Sequence, residues 1–168
     1  MLSSAEIQVL SHVVTSRLPP KATGKVVISK EPSIESHLPS VDAYRKFRAF
    51  EKLPSLTEAT VLDLLAKEKE PEKFGQSFAL PRESVFLDEA AKKAIFRDGR
   101  GWESFYEAYP DSGGIISLSR VGFSPDGRQA LVHVGRQWMG RAGGGEVVLL
   151  TLTDGAITEL GAISTWMS

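Results

Sequence analysis

Apolar residues near the start of the chain, Ile7, Leu10, Val13, Val14 and Leu18, recur three and four positions apart, the spacing of one helix face. Ser3 and Glu6 supply the S-x-x-E of a capping box ahead of them, and Pro19 and Pro20 stop the run. The pattern predicts a helix over about 3–17. "KVVIS" (25–29) predicts a short buried strand, and the polar, proline-marked segment 30–39 a loop. Ser40 caps a predicted helix over 41–51, with Val41, Tyr44, Phe47 and Phe50 along one side. A second box, Ser55 to Glu58, opens "LTEATVLDLLAKEKE", a helix on which Leu56, Ala59, Leu62 and Leu65 align. Residues 72–83 read as irregular, "SVFL" (84–87) as a strand, and Asp88 as the cap of "EAAKKAIF". "GWESFYEAY" predicts a helix over 101–109 whose aromatics, Trp102, Phe105, Tyr106 and Tyr109, form one stripe. That stripe reads first as core-facing, with a stacking surface for a ring-bearing ligand as the alternative.

Beyond Pro110 helical periodicity stops. β-rich runs at 115–123, 129–138, 146–153 and 156–167 are separated by turns. The expected class is α+β: a four-stranded antiparallel meander over about 115–167 packed against N-terminal and central helices, with short extra strands near 25–29 and 84–87. The whole chain, 1–168, reads as one domain, helical over 1–110 and all strand over 111–168. In "SPDGR", Pro125 suits the first corner of a type I turn and Gly127 the left-handed residue after it, which predicts a three-residue connection with Ser124 opposite Arg128. Val121 then faces Leu131, Arg120 faces Val132, Ser119 faces His133 and Leu118 faces Val134. The side bearing Ile116, Leu118, Arg120, Ala130, Val132, Val134 and Arg136 is the more apolar and is assigned to the core. Ser117, Ser119, Val121, Phe123, Leu131 and His133 fall on the other side. "DG" at 154–155 predicts a two-residue hairpin that sets Leu149 against Leu160 and Thr151 against Thr158. "VVLL" (147–150) is apolar on both faces, so it is either a central strand covered on both sides or part of an oligomer interface.

Composition narrows the chemistry. The 168 residues carry a formal net charge of −1, so no overall basic field favours nucleic acid or an anionic membrane. With no cysteine, disulfides, thiolate metal sites and cysteine nucleophiles are excluded. No apolar run is long enough to span a membrane, and the first residues lack the basic and apolar regions of a signal peptide. Read as it stands, the start implies a cytoplasmic protein; a trimmed signal would imply a secreted or periplasmic one.

Ser119 opposite His133 is the sharpest chemical hint, since a hydroxyl beside an imidazole is the minimum for an activated nucleophile. The plainer reading is a cross-strand hydrogen bond on a half-exposed sheet face. No G-x-S-x-G elbow occurs and no orienting acid is visible. Arg120 among aliphatic neighbours needs a counter-charge, with Asp111, Glu103 and Glu146 as the acids considered. His12, His37 and His133 are dispersed without metal-ligand spacing, so no metal and no cofactor is expected. "GRAGGGE" (140–146) lacks the phosphate-loop pattern and reads as a flexible hairpin loop or a bulge. Arginines are more frequent in the C-terminal half, and Arg120, Arg136, Tyr106 and Tyr109 are the expected binding residues.

The residues Trp102, Phe105, Tyr109, Pro110, Ser112 and Gly114, then "LSRVGF" (118–123), "QALV" (129–132), Gly143 to Gly145, Trp166 and Ser168, resemble a family of uncharacterised bacterial proteins. The pattern is W-x-x-F-x-x-x-Y-P-x-S-x-G, L-S-R-V-G-F, Q-A-L-V, a glycine-rich turn and a terminal W-x-S. The likeness covers roughly residues 83–168 and implies no particular activity. The first functional expectation is a non-enzymatic binding domain for a protein partner or small ligand, on a sheet face marked by Ser117, Ser119, His133 and Gln137. The alternatives are a serine-type hydrolase using Ser119 and His133, with Arg120 or Arg136 holding an oxyanion, and a structural module forming a homodimer through its sheet.

Overall fold

The structure is a computed structural model that describes residues 1–33, 38–70, 72–75 and 78–168. His37 and parts of the predicted 30–39 loop and 72–83 segment lie outside the described residues. Helix α1 (Ser4–Ser16) is followed by β1 (Val26–Ser29), α2 (Val41–Lys46), α3 (Ala49–Lys52), α4 (Glu58–Glu68) and β2 (Ser84–Leu87). Next come α5 (Glu89–Phe96), α6 (Trp102–Ala108), β3 (Ile115–Leu118), β4 (Gly122–Phe123), β5 (Gln129–Met139), β6 (Ala142–Thr153) and β7 (Ala156–Met167). The seven strands form one open mixed sheet in the order β2-β1-β3-β5-β6-β7, with β4 paired to β5 beyond the end of β3. The expected antiparallel meander is its C-terminal part. Strands β1 and β2 extend it, and β1 runs parallel to both β2 and β3. Parallel partners need long crossovers, and the helices between these strands supply them.

Helices cover both faces rather than one. On the first face, Val9, Leu10, Val13 and Val14 of α1 pack with Val26, Ile28, Ile116, Leu118, Ala130, Val132, Val134, Val148 and Leu150. On the second, α2 to α4 bury Tyr44, Leu53, Val61 and Leu64 against Leu131, Val147, Leu149 and Ile163. Helices α5 and α6 cover Val27, Leu87 and Ile115 on the strands beside them. The "VVLL" strand is therefore central and buried on both sides, as one of its two readings required. The α6 aromatics pack together around Phe105, which is fully buried.

Three of the four predicted caps form. Ser3 and Glu6 close their capping box, and Ser40 and Asp88 cap α2 and α5. The second box does not form: Thr57 caps α4, accepting from the Thr60 amide at 3.3 Å. The face that α4 buries is also different. Thr60, Val61 and Leu64 turn inward, and Leu62 stays 51% exposed. The reason is a close approach to β4. A methyl group at Gly122 would lie 2.5 Å from the Thr60 carbonyl oxygen and 2.8 Å from the Leu64 nitrogen. Gln129 pins the same helix end, accepting from the Thr60 hydroxyl at 2.8 Å and donating to the Ser55 carbonyl at 2.6 Å. The predicted 41–51 helix is broken in two at Arg48, whose φ of 63° no helix interior accommodates.

The β4–β5 hairpin departs from its expected register by one residue. The Ser124 amide donates to Gln129, not Arg128, because Asp126 takes the Arg128 amide at 3.0 Å and draws that residue into the turn. Phe123 thus pairs with Ala130 and Gly122 with Leu131, while Leu118 still pairs with Val134. One extra residue is absorbed between Leu118 and Gly122 as a β-bulge. Past it, Val121 and Phe123 lie on the α1 face, not the side expected of them. The 154–155 turn forms with Asp154 at φ 50° and Gly155 at φ 78°, and Thr151 pairs with Thr158. Leu149 pairs with Gly161 instead of Leu160, again across a register shift. Within "GRAGGGE", Gly140 and Arg141 form the turn of the β5–β6 hairpin, whose register shifts between Gln137 and Met139, while Gly143 to Gly145 are strand residues of β6. Trp166 spreads its indole over Gly135, Gly143 and Gly145; an added Cβ would collide with it at Gly145 and sit tightly against it at Gly143 and Gly135, 3.0 and 3.3 Å away.

Arg120, within the bulge, finds an acid that sequence neighbourhood does not suggest. Glu6 of α1 accepts from its Nε at 2.9 Å and its Nη2 at 3.2 Å, and both residues are buried. Burial by itself would raise the Glu6 pKa, but the hydrogen bonds from Arg120 and the Ser3 amide outweigh it and hold the carboxyl below its ordinary value. The stability this pair contributes is therefore present above the ordinary glutamate pKa and lost as pH falls through the lowered one. Glu6→Gln is expected to cost about 3 kcal/mol at neutral pH, the low end for a buried charge left without its partner. It should also flatten the acid limb of stability. Urea unfolding at pH 7 and pH 3 checks both, and an unchanged midpoint at pH 7 contradicts the assignment.

Candidate functional site

The sequence-predicted pair is brought together through its backbone. Ser119 donates its amide to the His133 carbonyl at 3.0 Å and accepts the His133 amide on Oγ at 2.8 Å. Its hydroxyl donates to the Arg120 carbonyl at 2.6 Å. The imidazole Nε2 meets the Tyr44 hydroxyl of α2 at 2.6 Å. Ser119 is fully buried and His133 is 2% exposed, so this is not the half-exposed face that the sequence suggests. Helix α4 bonds two more backbone groups at the bulge: Lys67 donates to the Val121 carbonyl at 2.9 Å, and Asp63 accepts the Phe123 amide at 2.7 Å. The serine thus acts as the clasp of a bulge whose polar groups are bonded internally. Ser117 is half-buried and Gln137 exposed, so the four residues expected to mark one binding face do not share an open surface.

Arg136 differs from the other arginines on the α1 face. Arg17, just past α1, ion-pairs with Glu146 and with Glu159, the latter at 2.9 Å. Burial opposes the Arg17 charge, and the bonds from Glu159 and Glu146 outweigh it and raise its pKa. Arg120 holds Glu6, with Glu72 at 3.7 Å. Arg136 donates from Nη1 to the Gly113 carbonyl at 2.8 Å and lies 4.1 Å from the Trp138 ring centroid. Among the described residues no carboxylate lies within ion-pair distance of it. Burial consequently holds its pKa below the usual arginine value, though an arginine stays charged at neutral pH.

Two grooves meet at Arg136 and Trp138. The first, about 340 Å³, runs along the end of the sheet past α1; Arg17, Val134, Gly144, Glu146, Ser164 and Met167 also line it. The second, about 250 Å³, lies between the Pro19–Ala22 stretch, the Asp111–Gly113 loop and Tyr106. Tyr106 donates its hydroxyl to the Trp138 carbonyl at 2.8 Å, and burial raises its pKa. Of the expected binding residues, Arg136 and Tyr106 converge here. Tyr109 packs against Phe105 with centroids 5.4 Å apart, and Arg120 is engaged by Glu6. Trp138, Ser112 and Lys21 join the site without being expected there, since nothing in their spacing ties residue 21 to residues 112 and 138.

Among the described residues no three His, Asp or Glu side chains are grouped to hold a metal, and no helix is long and apolar enough to cross a membrane. No protein-family model, curated protein or solved structure matches the chain. A fluorophosphonate probe is expected to leave Ser119 unlabelled, because the hydroxyl is buried and already donates to a backbone carbonyl. Labelling that disappears in Ser119→Ala, read by intact-protein mass spectrometry, contradicts that placement.

Proposed function

We propose that the protein is a binding domain for a small organic acid, held in the first groove and neutralised by Arg136. The observation that carries the reading is a half-buried guanidinium on a groove wall with a carbonyl and an indole as partners and no carboxylate among the described residues. A charge in that position gains from an incoming anion without first having to break an ion pair. The groove volume of about 340 Å³ is within the range of small-ligand sites. Val134, Met167 and Trp138 offer an apolar wall for the body of such a ligand. Gly144, opposite Arg136 on β6, leaves the space above the sheet open.

Titration of the isotope-labelled protein with benzoate at low salt tests this. Saturable amide shifts are expected around residues 134–138, 144–146 and 164–167. Arg136→Gln should weaken binding at least tenfold, the effect of one charge-assisted hydrogen bond of about 1.5 kcal/mol or more. Gly144→Val should block it, and the backbone there has room for a side chain, the nearest atom to an added methyl being 3.6 Å away. Absence of saturable binding, or equal affinity in Arg136→Gln, contradicts the proposal.

A further inference from the structure

The first groove supplies no second cation free of an ion pair. Arg17 is taken by two glutamates, and Glu146 adds negative charge to the same wall. The groove that shares Arg136 and Trp138 with it is different. Ser112 lines it and is 8% exposed; its hydroxyl oxygen is itself closed off from solvent and has no hydrogen-bond partner among the described residues. A buried hydroxyl left in that state costs stability, so natural proteins rarely keep one without a use. Lys21 stands on the same rim with no ion pair to a described residue, and Asp111 stands beside it. The Asp111 backbone adopts φ 58° next to the hydroxyl-bearing residue, and its carbonyl accepts the Gly24 amide at 2.8 Å. The Pro19–Gly24 stretch and the 111–113 loop are thereby tied together at the groove.

From this we infer that the second groove is an oxyanion subsite, in which the Arg136 guanidinium and Lys21 take the carboxylate or phosphate head of the ligand and the Ser112 hydroxyl, turned toward the groove by rotation about its Cα–Cβ bond, donates to it. The inference rests on the reading above and adds an orientation: the acid head lies among residues 21, 112 and 136, and the apolar body passes Trp138 into the first groove. Asp111 opposes the head and sets an upper limit on affinity. Removing its charge strengthens binding, and asparagine is the substitution that tolerates its left-handed backbone.

The test measures binding of benzoate and of inorganic phosphate by calorimetry at constant ionic strength, with melting temperatures of the ligand-free variants. Ser112→Ala is expected to weaken benzoate about five- to tenfold, consistent with loss of one hydrogen bond to a charged group. Its ligand-free melting temperature should stay level or rise by about 2–4 °C, because an unsatisfied buried group is removed. Asp111→Asn should tighten binding severalfold and Lys21→Gln loosen it. Phosphate that displaces benzoate supports a general oxyanion site; benzoate binding that phosphate leaves untouched supports a subsite selective for carboxylates. If Ser112→Ala binds benzoate as the parent does while Arg136→Gln fails to, the subsite is wrong and the binding-domain reading survives. A lowered melting temperature in Ser112→Ala makes the hydroxyl structural and likewise overturns the subsite. If the parent protein binds neither probe, both readings fall.

Discussion

A charge inside a sheet must meet its counter-charge, and the Glu6–Arg120 pair is where this fold satisfies that demand. The two residues are 114 positions apart, one on the first helix and one in a bulge of the C-terminal strands. Their contact fixes how α1 lies across the sheet. The direction of α1 in turn delivers Arg17 to Glu146 and Glu159, and the chain that follows to the rim of the second groove. Arg120 keeps the α1 side of the sheet that Leu118 has, just before the bulge moves Val121 and Phe123 to that side. Ser119 and His133 clasp the strands there, and α4 bonds the Val121 carbonyl and the Phe123 amide.

The functional reading grows from the contrast between neutralised and open arginines on one sheet face. Arg17 and Arg120 are bound by acids and hold helix to sheet. Arg136 is held by a carbonyl and an indole, with no carboxylate among the described residues within ion-pair distance. The opposite face of the same strands is covered. Trp166 lies over glycines of β5 and β6, and the last residue, Ser168, exchanges backbone hydrogen bonds with Gly143 at 3.2 and 3.4 Å.

What the sequence made legible was local. The Ser3–Glu6 box, the Asp88 cap, the α6 aromatic stripe and the Asp154–Gly155 turn each depend on residues a few positions apart, and each forms. What it hid was non-local. The parallel pairing of β1, the helices on the second face and the buried side of α4 follow from contacts such as Gly122 against Thr60, which no periodicity reveals. The hairpin register failed by one residue because Asp126 captured the Arg128 amide, a choice between two turns of nearly equal propensity. Two of the four expected binding residues, Arg136 and Tyr106, line the second groove of the candidate site. Ser112 was not among them, since an orphaned hydroxyl becomes visible only once the packing around it is known.

The central claim, that Arg136 carries a charge still open to an anion while Arg17 and Arg120 do not, is tested most directly by the arginine Nε–H resonances of the intact protein. Solvent exchange of each would be followed with and without benzoate. The account expects slow exchange and unmoved signals for Arg17 and Arg120, whose Nε atoms face glutamates, and a fast-exchanging Arg136 signal that shifts and slows on adding the acid. An Arg136 Nε–H as protected as that of Arg120, and indifferent to the anion, would contradict it.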